Sequence, residues 1–402
     1  MDLTEKQQNL IRKIANENDI ENFQLTKTPG SLRGDNFLGI LTAITLYNKQ
    51  KTLNLILKTA HQNEAFRKAA PVHEMFDREI YMYNKVFPEF EKYQKNHNIA
   101  DAFDSTPKLY GYCLEDKNES LVMENLKKSG YKLWDKRIPM NHDHVEAVLV
   151  QYANFHAVSL AMRQLDGELF ARVTRPIKKN VFDNMEMIGN KDKFQGYVNA
   201  VMSNGYKAVE GDRDLVECLK KVESQIYDLF QNRFDNDEFK LVVSHGDCWC
   251  NNFLFKYEVS DVPSSLRIID WQLSSVTTPA YDIVYFLLTN SSEAVLKNYK
   301  KYLQLYYEAL SSRLREFGCD VNQIFSYDDM EKHLHTFMAF GVYTSIMILK
   351  LVNSEPEEAP DFSNVENDGN FMDKMEYEMK NSAGYADRLK TILKFVNEND
   401  LI

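Results

Sequence analysis

Ser244-His245-Gly246-Asp247-Cys248-Trp249-Cys250-Asn251-Asn252 is the stretch around which the rest of the chain is arranged. Leu241-Val242-Val243 runs into it and Phe253-Leu254-Phe255 leaves it, two short apolar runs that read as strands. The polar loop between them carries an acid, Asp247, and five positions later an amide, Asn252. After a polar hairpin tip over 258–265 comes a second strand, Leu266-Arg267-Ile268-Ile269, ending on Asp270-Trp271. A loop and a strand end of this kind present Asp247, Asn252 and Asp270 to one place. An acid that can orient a hydroxyl, beside an amide oxygen and a second acid that can hold Mg²⁺, is the donor set of metal-assisted phosphoryl transfer.

H-x-D-x-x-x-x-N, then a strand, then another Asp, is the order of catalytic loop and metal loop in the kinase fold. Here it stands as His245-Gly246-Asp247, Asn252 and Asp270. The HGD form, with D-W in place of D-F-G, resembles the small-molecule branch, the aminoglycoside and choline kinases. HGDCWCNNFLF with IIDWQLSSVTTPAYDIVYFL is closer still to the insect ecdysteroid-kinase-like family. That resemblance covers nearly the whole chain. It implies an α+β, two-lobed protein-kinase-like fold: a small β-rich N-lobe over 1–122, a hinge at 123–126, and a large, mainly helical C-lobe over 127–402. It also implies ATP and Mg²⁺ as cofactors, Asp247 as the catalytic residue that orients the nucleophile, and Asn252 and Asp270 as metal ligands. The D-F-G and A-P-E of protein kinases are both missing after Asp270.

The first part of the chain supplies the nucleotide elements. Residues 4–19 read as a short surface helix with Leu10, Ile11 and Ile14 on one side. Glycines in 30–39 suit a backbone that approaches phosphates, although a hairpin turn explains them equally well. The family resemblance implies the nucleotide loop there, with Gly34 and Asn36 in its G-[DE]-N-[YF] motif. Ile40–Tyr47 and Thr52–Thr59 read as strands. Lys58, after Leu55-Ile56-Leu57, can reach inward to α- and β-phosphates, though a solvent-facing lysine is the commoner case. A lysine so placed needs a carboxylate to hold it. Val72–Phe87 is helical by its apolar period, with Pro88 as a stop. Glu79 lies near its apolar face and Glu74 on another side, so Glu79 is the expected partner of Lys58. Two further strands lie in Pro107–Tyr112 and Ser120–Leu126. The second resembles the edge where the family's adenine meets backbone groups, which implicates Glu124 and Leu126.

The C-lobe is expected to be helical. Val145–Met162 is a long amphipathic helix, and its His156 reads as a packed histidine. Residues 170–240 carry helical stretches near 193–203 and 213–233 and no chemical motif. Pro279-Ala280-Tyr281-Asp282 opens an apolar helix. In the family this acid braces the catalytic loop, so Asp282, like His245, is assigned structural support. Ala294–Phe317, Tyr327–Val352 and Phe371–Val396 read as helices, with an acidic, proline-containing loop between the last two. Phe337–Leu349 is the longest apolar stretch, shorter than the roughly 18 residues a membrane span needs, and reads as a core helix. Its side chains 337, 338, 340, 343 and 347 suit either plain core or one wall of an apolar acceptor pocket.

Composition excludes other classes. A formal net charge of −11 argues against nucleic acid or an anionic membrane as partner. Five cysteines without framework spacing indicate a reducing compartment, and the polar N-terminus shows no signal peptide, so a cytoplasmic protein is expected. Cys248 and Cys250 lack the further ligands of a zinc site. The resemblance implies a small hydroxylated acceptor, an ecdysteroid or a similar lipophilic alcohol. Xenobiotic or plant hydroxyl compounds, choline-type acceptors, and a non-catalytic hormone-binding role stand as alternatives.

Overall fold

The computed structural model describes residues 3–31, 39–179, 181, 191–232, 240–358 and 377–402. Helix α1 (Glu5–Glu17) starts on a reciprocal cap between Thr4 and Gln7. Strands β1 (Gln24–Pro29), β2 (Gly39–Tyr47) and β3 (Thr52–Ala60) follow. Two helices come next, α2 (Glu64–Ala69) and α3 (Val72–Tyr81), then a π-turn over Met82–Val86, and then α4 (Phe87–Asn96). Strands β4 (Leu109–Cys113) and β5 (Ser120–Glu124) complete an antiparallel sheet of order β1-β2-β3-β5-β4.

Period-two alternation gives this sheet two different faces. Leu55 and Leu57 of β3 join Ile44, Leu46 and Val122 under Ile11 and Ile14 of α1, a small core of their own. Lys58, next in the strand, points to the opposite face. The N-terminal helix is thus no loose surface element. Gly111 of β4 lets it lie flush, because a Cβ there would come within 2.9 Å of Leu10 Cδ1.

Pro88 does not end the helix that precedes it. The Phe87 N–H donates to the carbonyl of Met82, five residues back, and the chain continues into α4 with Pro88 in its first turn. The wide turn restarts the helical register, so the missing N–H of proline falls where helices leave donors unpaired in any case.

After β5 the backbone turns at Leu126, whose carbonyl accepts the N–H groups of Ser129 and Tyr131. A short strand β6 (Lys132–Leu133) leads to α5 (His142–Leu165), α6 (Gly167–Thr174), α7 (Lys191–Ala208) and α8 (Arg213–Asn232). The expected strands around the central loop are present as β7 (Val242–Ser244), β8 (Phe253–Lys256) and β9 (Ser265–Ile268), and a further strand not expected, β10 (Ser275–Thr277), follows them. β10 pairs with β7, and β6, β8 and β9 form a second small sheet. The remaining helices are α9 (Pro279–Asn290), α10 (Glu293–Lys297), α11 (Tyr299–Glu316), α12 (Val321–Ile324), α13 (Tyr327–Asn353) and α14 (Ser382–Glu398).

Helix boundaries near the C-terminus also differ from expectation. The segment expected to be one helix from 294 breaks at Asn298, between α10 and α11. The last helix begins at Ser382, where the Asn381 side chain accepts from the Gly384 N–H, and 377–381 before it are not helical, while the expected start at 371 lies outside the described residues. α13 has 27 residues and is apolar and long enough to cross a membrane by length and composition, yet 83% of its most apolar window is buried inside the protein. It is a core helix. Phe337, Met338, Phe340 and Tyr343 are all buried along it, with Phe340 stacked on Tyr281 at 4.1 Å.

Candidate active site

Lys58 points from β3 into the gap between the sheet and α3. Its Nζ lies 2.6 Å from Glu79 Oε2, 2.7 Å from Asp270 Oδ1 and 3.4 Å from Gln272 Oε1. Lys58 and Glu79 are only 2% and 1% exposed, so this is a buried pair, which demands close partners. Burial acts to lower the lysine pKa, but Asp270 and Glu79 outweigh it and raise it above the usual value. Glu79 feels burial most and is pushed up to about 7 despite the neighbouring ammonium. Glu74 is solvent-exposed.

Asp270 adopts a left-handed backbone, φ +66°, unusual for a residue with a side chain. Trp271 anchors the turn. It is fully buried, donates from Nε1 to the Ile268 carbonyl at 3.1 Å, and packs edge-on against Phe87, Phe155 and His245. Arg78 of α3 donates to the Ser274 carbonyl and ties this turn to the helix that carries Glu79.

The catalytic loop is held from below. Asp282, in the first turn of α9, accepts the backbone N–H groups of His245 at 2.7 Å and Gly246 at 2.9 Å. It also accepts from Cys248 Sγ at 3.3 Å and lies 3.1 Å from His156 Nε2. Burial opposes its charge, yet the His156 and loop hydrogen bonds prevail and keep its carboxyl below the ordinary range. His156 is itself fixed by Tyr306 at 2.9 Å, so it packs and braces. Gly246 has φ +84°, and a Cβ there would collide with the Leu273 carbonyl. His245 Nε2 donates to the Ile269 carbonyl at 3.0 Å, so Nδ1 accepts from Tyr152 Oη at 2.9 Å. Burial lowers the His245 pKa and keeps the ring neutral in this role.

Asp247 stands at the top of the loop. Its Oδ1 accepts from Tyr285 Oη at 2.9 Å and its Oδ2 from Asn252 Nδ2 at 3.0 Å. Asn252 Nδ2 also donates to the Asp247 carbonyl, which turns the amide oxygen away from the acid. The Ile269 N–H donates to the Asn252 carbonyl at 3.0 Å and joins the catalytic loop to the strand that ends in Asp270. Burial pushes the Asp247 carboxyl up, the charge of Asp270 adds to this, and the group lies at about 7 against the pull of Tyr285 and Asn252.

Three carboxyl groups, Glu79, Asp247 and Asp270, thus share one ammonium, Lys58. Burial first, and then the negative charge of Asp270, raise two of these acids, Glu79 and Asp247. Asp270 and the amide oxygen of Asn252 are hard oxygen donors at the edge of this cluster, a set that fits Mg²⁺.

Other expected positions fall elsewhere. Gly34 and Asn36 lie outside the described residues. Glu124 ends β5 opposite Leu55, and its Oε1 accepts from Ser129 Oγ at 2.6 Å. Leu126 is buried with Tyr131 and Leu254. Tyr285 and Gln272 were not foreseen. Their only sequence signal is position: one helical turn after Asp282, and two residues after Asp270. The five cysteines are free, and Cys248 and Cys250 are packed beneath the loop.

A lysine–glutamate pair under a sheet, joined to an H-x-D loop and a following metal-loop Asp, defines a small-molecule kinase-like phosphotransferase. The ecdysteroid kinase-like family profile matches residues 33–319, and the chain belongs to that family. Among curated proteins none matches. Solved structures resemble it at low identity. A spectinomycin phosphotransferase in complex with ADP and spectinomycin has 11% identity and TM-score 0.43, covering 96% of this chain and 98% of its own. A wild-type aminoglycoside 2'-phosphotransferase-IIIa complexed with GDP has 13% identity and TM-score 0.40, covering 86% and 96%. A glucosamine kinase in complex with glucosamine, ADP and inorganic phosphate has 12% identity and TM-score 0.34, covering 89% and 81%. The family assignment rests on the profile match.

Proposed function

We propose that the protein is an ATP- and Mg²⁺-dependent kinase that phosphorylates a hydroxyl of a lipophilic alcohol, an ecdysteroid or a compound of similar character. The observation that carries this is the linkage of Lys58, Glu79 and Asp270 to Asp247 and Asn252 through one hydrogen-bonded frame. Lys58, held by Glu79, binds the α- and β-phosphates. Asn252 and Asp270 hold the metal, which when bound supplies positive charge to the phosphate oxygens. Asp247 accepts a hydrogen bond from the acceptor hydroxyl and aims its oxygen at the γ-phosphorus. The acceptor oxygen bonds to that phosphorus, the bond to the β–γ bridging oxygen breaks, and the electron pair stays on ADP. The hydroxyl proton passes to Asp247, whose raised pKa suits it to receive one. Positioning and electrostatics carry most of the acceleration.

A non-catalytic hormone-binding role is the rival reading, and the retention of all five groups disfavours it. The apolar cavity between α9, α11, α13 and α14, lined by Val284, Leu288, Leu334 and Met338, is no ready-made acceptor site. That cavity holds about 40 Å³, far below the roughly 300 Å³ of a small-molecule site. We further propose that the protein works in the cytoplasm, a reading supported by its free thiols.

The test is mass-spectrometric. Protein and Mg-ATP are incubated with ecdysteroids, choline, ethanolamine, aminoglycosides and phenolic glycosides, beside an Asp247→Asn variant. An added phosphate on an ecdysteroid is expected, reduced about 10²- to 10⁴-fold in the variant. Unchanged turnover in the variant refutes the role of Asp247. Product only on other alcohols discards the steroid, and binding without product anywhere favours the rival.

A further inference from the structure

We infer that Tyr285 is a positioning residue for the phosphoryl transfer: its phenol fixes the plane of the Asp247 carboxylate, and through it the direction in which the acceptor oxygen is held. This rests on the kinase reading above and adds a residue to its mechanism. α9 grips the catalytic loop at three places. Asp282 accepts the backbone N–H groups of His245 and Gly246, and Asn290 donates to the Cys248 carbonyl at 2.8 Å. Between these two, Tyr285 Oη donates to Asp247 Oδ1 at 2.9 Å. The outer grips hold main chain. Of the three, Tyr285 is the one that holds the side chain meeting the acceptor.

The need for such a grip follows from the carboxylate itself. The torsion that turns its plane is soft, so a loop held in place does not by itself aim the two oxygens. Asn252 Nδ2 bonds to Oδ2 at 3.0 Å, but the same nitrogen is shared with the Asp247 carbonyl at 2.9 Å. Tyr285 supplies the second point, on the other oxygen, and two points fix the plane. Among the described residues no further side chain bonds to this carboxylate. The phenol is 3% exposed, and burial with the charge of Asp247 raises its pKa well above the usual value, so it stays protonated and can only donate to the acid. In the transfer the acceptor proton passes to Asp247 while Tyr285 keeps its own. Its contribution is therefore geometric, and a misplacement of about 1 Å at a reacting group can cost 10²-fold in rate.

A buried bond that only steadies the fold is the competing role, and the experiment separates the two. The probe is water, which takes the place of the acceptor hydroxyl. Phosphate release from Mg-ATP is followed over a range of ATP concentrations, with any acceptor found in the screen run alongside. Tyr285→Phe removes one oxygen and leaves the ring. It is expected to lower kcat roughly 10- to 100-fold, with KM for ATP and the affinity for Mg-ADP within about two-fold of wild type. In an Asp247→Ala background the same substitution is expected to cost less than about two-fold, because its effect passes through the carboxylate. A kcat equal to wild type, a loss that falls on KM, or a loss of equal size in the Asp247→Ala background overturns the proposal. Loss of Mg-ADP binding in Tyr285→Phe overturns it as well, since the residue would then hold the fold. A wild-type protein that releases no phosphate and phosphorylates no acceptor sinks the kinase reading, and this proposal with it. An active wild type matched by Tyr285→Phe sinks this proposal alone.

Discussion

At the scale of single residues, the site is a contest between burial and neighbouring charge. Asp247 has an ordinary carboxyl pKa of 3.8 and lies at about 7 in the folded protein. Between these values the native state keeps a proton that the unfolded chain has released. Unfolding free energy therefore falls as pH rises from about 4 to about 7 and levels off above. Glu79, also raised to about 7, adds to the same slope. Denaturant titrations of the nucleotide-free protein across this window should show the decline, and Asp247→Asn should make it shallower. An equal slope in the variant would refute the shift at Asp247. Asp282 behaves in the opposite sense, since it is ionised, buried and bonded to two loop amides. Asp282→Asn should cost about 3 kcal/mol in urea unfolding, because one loop N–H would then face an amide NH₂. Lys58, Glu79, Asp247, Asn252 and Asp270 were legible because each must be one or two residue types at a set spacing. Tyr285 and Gln272 were not, because a hydroxyl or an amide at one helical position carries no motif.

Elements were legible where a period was clean. β2 and β3 lie within a residue of their sequence boundaries, since alternation and turn residues both mark them. Pro88 misled because the rule for proline assumes an unbroken α-register, and the π-turn at 82–86 breaks it. The packing of α1 was missed because the decisive residue is a glycine on another element. Gly111→Leu should prise α1 from β4 and cost about 1–3 kcal/mol, the price of an overfilled contact. Denaturation monitored by far-ultraviolet circular dichroism would measure it, and an unchanged midpoint would mean that α1 does not depend on this approach.

For the whole molecule, packing divides the chain differently from sequence. The boundary at 122 follows the order of motifs. In the folded protein α3 and α4 are rooted in the large core, where Phe76, Ile80, Val86 and Phe90 join Phe155 and Trp271. Among the described residues of 1–122, the outer face of the sheet, with α1, is the part with a core of its own. A fragment of residues 1–122 should therefore remain unfolded, giving no dispersed amide spectrum, because α3 and α4 would expose their apolar faces. A folded fragment would contradict this. Sequence could not show it, since amphipathic helices announce that they pack but not on which partner. Lys58 belongs to the sheet and Glu79 to the rooted helix, so their 2.6 Å contact crosses the seam between two packing units. It acts as a strain gauge. Any rocking of the sheet over its base would change this contact together with the 2.7 Å contact from Lys58 to Asp270, and would so tie the readiness of the lysine to the posture of the sheet.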